Sequence, residues 1–136
     1  MDRNDVSWQG YWPACPTPFA ADGSFDEDSL RALLDYYLGV GVHGVLINGT
    51  TGEWFSQTPD ERRLVAETAL QAVAGRVPVV IGCTSYTADE VASFARHAID
   101  AGASGVESLN ATTVSIPTSR SASSVPMSTL VPCGQL

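Results

Sequence analysis

At 136 residues with 44% hydrophobic side chains, the chain is long enough to bury the core of one ordinary domain and too apolar to be disordered throughout. Its formal net charge is −8, and all seven basic residues are arginine with no lysine, which excludes a basic nucleic-acid-binding or anionic-membrane-binding surface. Residues 1–5 are polar and no run of eighteen apolar residues follows, so neither a leader nor a membrane span is expected and the expected setting is cytoplasmic.

Residues 10–15 read as a first strand that ends in the turn Pro16-Thr17-Pro18-Phe19, with a second turn at Asp22-Gly23. Asp26 then caps a helix whose apolar stripe is Leu30, Leu33, Leu34, Tyr37 and Leu38, ended by the glycines at 39 and 41. A buried strand at residues 45–48 follows at once. It runs into Gly49-Thr50-Thr51-Gly52-Glu53, two hydroxyls held between two glycines.

Thr58-Pro59-Asp60-Glu61 combines an N-cap threonine, a proline at the first helical position and a glutamate placed for a capping box. The helix it opens is expected to bury Leu64, Val65, Ala69, Ala72 and Val73 and to close at Gly75. Residues 77–81 have the continuous apolar character of a parallel strand covered on both faces. Thr87-Ala88-Asp89-Glu90 repeats the capping pattern, and Val91, Phe94, Ala95, Ala98 and Ile99 repeat the stripe. The pattern Gly-x-x-Gly-Val occurs at 41–45 and again at 102–106, so a fourth strand is expected to start near Ala103.

Three and a half strand–helix units are therefore predicted, of the kind that build an open doubly wound sheet or a closed eight-fold barrel. In a barrel the chemistry lies on the loops after the strands, here residues 15–19, 49–55 and 82–86. From Glu107 onward the composition changes: 11 Ser or Thr fall in the last 30 residues against 14 in the preceding 106, with only Glu107 and Arg120 charged. Pro117, Pro126 and Pro132 interrupt any helix, so this tail is expected to be mostly irregular, either a linker or modification-rich arm or, in the favoured reading, the product of a shifted reading frame or a truncated gene.

Cys15, Cys83 and Cys133 are odd in number and far apart, which supports neither a disulfide framework nor a zinc site and suggests buried thiols. His43 and His97 stand alone. No cofactor and no metal are expected. The glycine–threonine loop can bind a carboxylate through successive backbone N–H groups with Thr50 and Thr51 adding hydroxyls, or it can be a plain turn. A nucleotide-binding loop is disfavoured because the lysine that would reach the phosphates is missing.

The segments Ala14-Cys15-Pro16-Thr17-Pro18-Phe19, Asp22-Gly23-Ser24-Phe25-Asp26, Gly49-Thr50-Thr51-Gly52-Glu53, Glu61-Arg62 and Gly75-Arg76-Val77-Pro78-Val79-Val80-Ile81-Gly82 resemble, in order and spacing, the dihydrodipicolinate synthase and N-acetylneuraminate lyase family. That resemblance implies an α/β fold, the N-terminal half of a (β/α)8 barrel of class I aldolase type over residues 10–106, after an extension at 1–9 and before the tail at 107–136. It implies a usually tetrameric homo-oligomer that forms a Schiff base between lysine and pyruvate or a related 2-oxo acid. Thr51 then holds the carboxylate with Gly49 and Thr50 beside it, Thr50 also serves in a proton relay, Thr17 and Pro18 shape the pocket floor, and Glu53 ties the loop to its surroundings.

The family's catalytic tyrosine and Schiff-base lysine have no counterpart here, since the tail contains neither residue type. Arginine cannot substitute, because its guanidinium stays protonated and is no nucleophile. The expected function is a lyase or synthase fragment, inactive by itself; the alternative is a non-catalytic small α/β anion-binding protein. Reading the coding DNA past the Val106 codon in the other frames separates them. A Pro-Tyr-Tyr-like segment and a later strand bearing lysine are expected, and their absence favours the alternative.

Overall fold

The computed structural model describes residues 6–109 and 131–132. In chain order they form α1 (Glu27–Gly39), β1 (Val45–Ile47), α2 (Pro59–Val73), β2 (Val79–Gly82), α3 (Ala88–Asp100), β3 (Gly105–Glu107) and β4 (Val131–Pro132), with 3-10 turns at Thr50–Gly52 and Trp54–Ser56 between β1 and α2. One sheet runs in the order β1-β2-β3-β4. β1, β2 and β3 are parallel, with Val45 opposite Val79, Ile47 opposite Ile81 and Ile81 opposite Val106.

The helices begin where their sequence signals place them. The Asp26 carboxylate accepts from Ser29 N–H (3.0 Å) and from its hydroxyl (2.7 Å), satisfying donors that the first turn of α1 leaves free. At α2 the capping box closes in both directions, Glu61 N–H to Thr58 Oγ1 at 3.2 Å and Thr58 N–H to Glu61 Oε2 at 2.8 Å. At α3 the Thr87 hydroxyl accepts from Glu90 N–H, while the Glu90 carboxylate accepts from the Ser85 and Thr87 hydroxyls. Those bonds hold the Glu90 carboxyl below its ordinary pKa and tie the β2–α3 loop to the helix.

The core is one cluster in which Leu30 and Leu34 of α1, Val65, Ala69 and Val73 of α2, and Phe94, Ala95 and Ala98 of α3 cover Val45, Ile47, Val79 and Ile81. All four residues of β2 are buried, as its unbroken apolar run requires for a central parallel strand. Among the described residues no helix is long and apolar enough to cross a membrane. Cys15 and Cys83 are buried and not disulfide-bonded. Burial in apolar surroundings pushes the Cys15 thiol up to about 12. Cys133 lies outside the described residues.

Two expectations are corrected. Residues 10–15 form no strand beyond a single parallel bridge of Ala14 to Leu46. Cys15 N–H donates to Leu46 O and Leu46 N–H to Pro13 O, but Pro13 lacks the donor that would extend the ladder. Leu64 is 44% exposed: the buried face of α2 is centred on Arg62, Val65, Ala66, Ala69 and Val73, and Leu64 lies about 100° away from Val65. In the tail, which is expected to be mostly irregular, Val131 and Pro132 pair antiparallel with Val106 and Gly105. An open edge of β3 is a template for such pairing, and proline is tolerated on an edge strand. The rest of the tail lies outside the described residues.

The burial pattern sets the cost of two substitutions. Leu34→Ala, which empties a fully buried position, is expected to cost about 2–5 kcal/mol in urea unfolding. Leu64→Ala is expected to stay within about 0.5 kcal/mol of the parent chain.

Candidate carboxylate-binding site

Beyond Ile47 the chain leaves β1 through Asn48, which is buried and left-handed (φ 57°), a conformation that asparagine tolerates better than most residues. The turn Thr50–Gly52 is closed by Gly52 N–H to Gly49 O (2.9 Å) and Glu53 N–H to Thr50 O (3.0 Å). The N–H groups of Thr50 and Thr51 precede those donors and have no acceptor inside the turn. Both threonines are exposed, whereas Gly49 and Gly52 are buried. Two successive exposed threonines thus open the turn, beyond the C-terminal end of β1.

The underside of the loop is fixed from two directions. The buried Thr17 hydroxyl donates to Gly52 O at 2.8 Å, and the Gln57 side-chain amide donates to the same carbonyl at 2.7 Å and to Thr17 Oγ1 at 3.2 Å. Pro18 is half-buried, and its carbonyl accepts from Asp26 N–H (3.0 Å), joining the first loop to the start of α1. Glu53 departs from expectation: its side chain is exposed, and the residue serves the loop through its left-handed backbone (φ 53°).

The structure therefore brings Gly49, Thr50 and Thr51 together above Thr17, with Pro18 in the adjoining segment. None of the five lines the open groove of about 440 Å³ elsewhere on the surface, which Glu67, Leu70, Gln71, His97, Asp100 and Ala101 enclose. His97 approaches Glu67 there at 3.2 Å.

Three residues absent from the predicted site support it: Asn48, Gln57 and Arg62. Arg62 is 4% exposed, its guanidinium lying over the Phe94 ring at 4.0 Å and the Trp54 ring at 5.1 Å, with Nη2 donating to Gly82 O at 3.2 Å. Burial lowers its pKa. Its position three residues before the buried Val65, on one face of α2, is a signal the sequence contained. An asparagine at the end of a strand before glycine was the equivalent signal for Asn48. Gln57 carried none, because its partners are 5 and 40 residues away.

A parallel sheet backed by capped helices, with a hydroxyl-rich loop at the strands' C-terminal ends, defines an α/β protein. The chain belongs to the dihydrodipicolinate synthetase family, whose model matches residues 7–111. It is 42% identical over 103 residues to a 4-hydroxy-tetrahydrodipicolinate synthase of Salinibacter ruber, covering 76% of this chain and 34% of that one. Among solved structures it is similar to YagE of E. coli K12, a prophage protein of the dihydrodipicolinic acid synthase family in complex with pyruvate (TM-score 0.72, 36% identity, 74% of this chain and 34% of that one). It is also similar to a putative dihydrodipicolinate synthetase from Pseudomonas aeruginosa (TM-score 0.75, 31% identity, 78% and 37%). The chain spans about a third of the length of the curated relatives it matches.

At the end of β3, Glu107 lies opposite Gly82, and its carbonyl accepts from Cys83 N–H at 2.7 Å. Burial raises its carboxyl pKa. The folded state therefore holds that proton more tightly than the unfolded chain, and stability falls as pH rises from the unfolded value through the raised one. Glu107→Gln is expected to raise Tm at pH 7, with the gain disappearing as pH falls below about 4.3, the ordinary glutamate value. Thermal scans of both proteins across that range check it.

Proposed function

We propose that this chain supplies the carboxylate-binding part of a Schiff-base lyase or synthase acting on pyruvate or a related 2-oxo acid. The observation that carries the reading is the exposed Thr50–Thr51 pair, whose amides lead a tight turn beyond the end of β1. A 2-oxo acid carboxylate fits such a rim: successive N–H groups and a hydroxyl bind an anion without a cation, which suits a chain of net charge −8. The pyruvate-bound relative supports the choice of ligand.

In this reading Thr51 holds the carboxylate through its amide and hydroxyl, Gly49 lets the backbone approach, and Thr50 also contributes to proton relay in a complete enzyme. Thr17 and Pro18 shape the floor. Residues 10–106 are the first three and a half units of an aldolase-type barrel. Family membership argues against an unrelated small anion-binding protein.

Imine formation needs an amine whose neutral form is populated, normally a desolvated lysine, and these 136 residues contain none. The chain by itself therefore binds the 2-oxo acid without turning it over. Incubation with pyruvate and borohydride followed by peptide mass spectrometry is expected to show no side-chain adduct, and a stoichiometric internal adduct would overturn this. Thr51→Val is expected to weaken pyruvate binding roughly tenfold, the worth of one hydrogen bond to a charged group. Titration calorimetry that finds pyruvate affinity unchanged in the variant would remove Thr51 from the site.

A further inference from the structure

We propose that Arg62 is a positioning residue that clamps both ends of the loop at residues 49–53, with Asn48 and Gly82 completing the clamp. The inference rests on the reading of that loop as a carboxylate site. The chain enters the loop from Asn48 and leaves it into Trp54, and Arg62 touches both. Its backbone carbonyl accepts from Asn48 Nδ2 at 2.9 Å, and its guanidinium lies 5.1 Å from the centre of the Trp54 ring. The same guanidinium donates to the carbonyl of Gly82, the last residue of β2.

Gly82 closes the arrangement sterically. A Cβ at this position would overlap the Asn48 carbonyl and crowd the Gly49 amide, so only glycine lets the β1 exit sit this close to the β2 exit. The Asn48 peptide is thus pressed between β2 and the first turns of α2, where Arg62 N–H donates to Thr58 O. Any slackening moves Gly49 first and the two threonine amides next.

Fold stability alone does not account for this arginine. Among the described residues its guanidinium makes one hydrogen bond, its Nε has no partner, and no carboxylate lies within ion-pair distance of it. An apolar side chain of similar volume in such a place is commonly neutral or stabilising. What methionine would lack is the bond to Gly82 and the cationic contacts with Trp54 and Phe94. The first two hold the β2 exit and the far end of the loop, and the third joins α2 to α3.

The test uses the full chain with two substitutions. Arg62→Met removes the side-chain clamp, and Asn48→Gly keeps the left-handed backbone while deleting the amide donor. Hydrogen exchange followed by mass spectrometry on the peptide covering 49–57, together with Tm and pyruvate affinity, is the readout. For both variants we expect exchange in 49–57 to accelerate roughly tenfold, the equilibrium worth of one buried hydrogen bond, while peptides from β2 and the C-terminal half of α2 stay at parent rates. Pyruvate affinity should fall alongside, with the Tm of Arg62→Met unchanged or higher.

The clamp is overturned if 49–57 exchanges at the parent rate in Asn48→Gly, which keeps the backbone conformation and so stands in should Arg62→Met fail to fold. It is equally overturned if exchange rises everywhere in step with a lower Tm, the mark of a merely structural role. Failure of the parent chain to bind pyruvate would instead sink the carboxylate reading, and the exchange data would still judge the clamp.

Discussion

The packing of the Asn48 carbonyl against Gly82 is the constraint on which the candidate site depends. Parallel pairing brings β1 and β2 side by side with both C-terminal ends on one edge. A strand that simply continued would carry its next residues along that edge. Here the left-handed turn at Asn48, fitted against a Gly82 that has no side chain, sends the chain into the tight turn that opens with two exposed threonines. Arg62, Thr17 and Gln57 then fix the loop from three other segments, so its shape is decided by neighbours rather than by its own five residues.

Those neighbours are in place because the helices start and pack where they do. The capping box at Thr58 sets the first turn of α2, and that register puts Arg62 on the buried face above the sheet with Val65, Ala69 and Val73. Had α2 begun one residue later, Arg62 would have turned by about 100° and left its partners. Capping, at about 1 kcal/mol per helix, is a small term in the total energy but a large one in geometry. The apolar stripes supply the bulk of the stabilisation through burial, and the caps decide which side chains that burial delivers to the strand ends.

The charge distribution fits the same arrangement. A strongly acidic chain can hold an anion only where the field is local, and the exposed rim of Thr50 and Thr51 offers amides and hydroxyls. The nearby guanidinium of Arg62 is buried beneath aromatic rings, where it acts on the backbone around the loop. Covalent chemistry on a 2-oxo acid requires a different group, a neutral amine, and the division between holding and reacting follows from side-chain chemistry.

Much of the fold was legible in the sequence because it rests on short-range rules. Helix starts at Asp26, Thr58 and Thr87, the buried strand around Val80 and the repeated glycine turns each depend on residues within one turn or one strand of each other. The glycine–threonine loop was legible as a tight turn after a strand for the same reason. Arg62, Gln57 and the role of Gly82 were not read, and the first strand and Leu64 were read wrongly, because their outcomes depend on partners distant in the chain. Ala14 meets Leu46 only once the sheet exists, and the exposure of Leu64 follows from where the facing helices sit. The sequence by itself determined the three helices, the buried strands that follow each of them and their order. Tertiary structure alone decided which polar side chains would be buried beneath that loop, since burial is a property of the assembled layers and a local pattern does not record it.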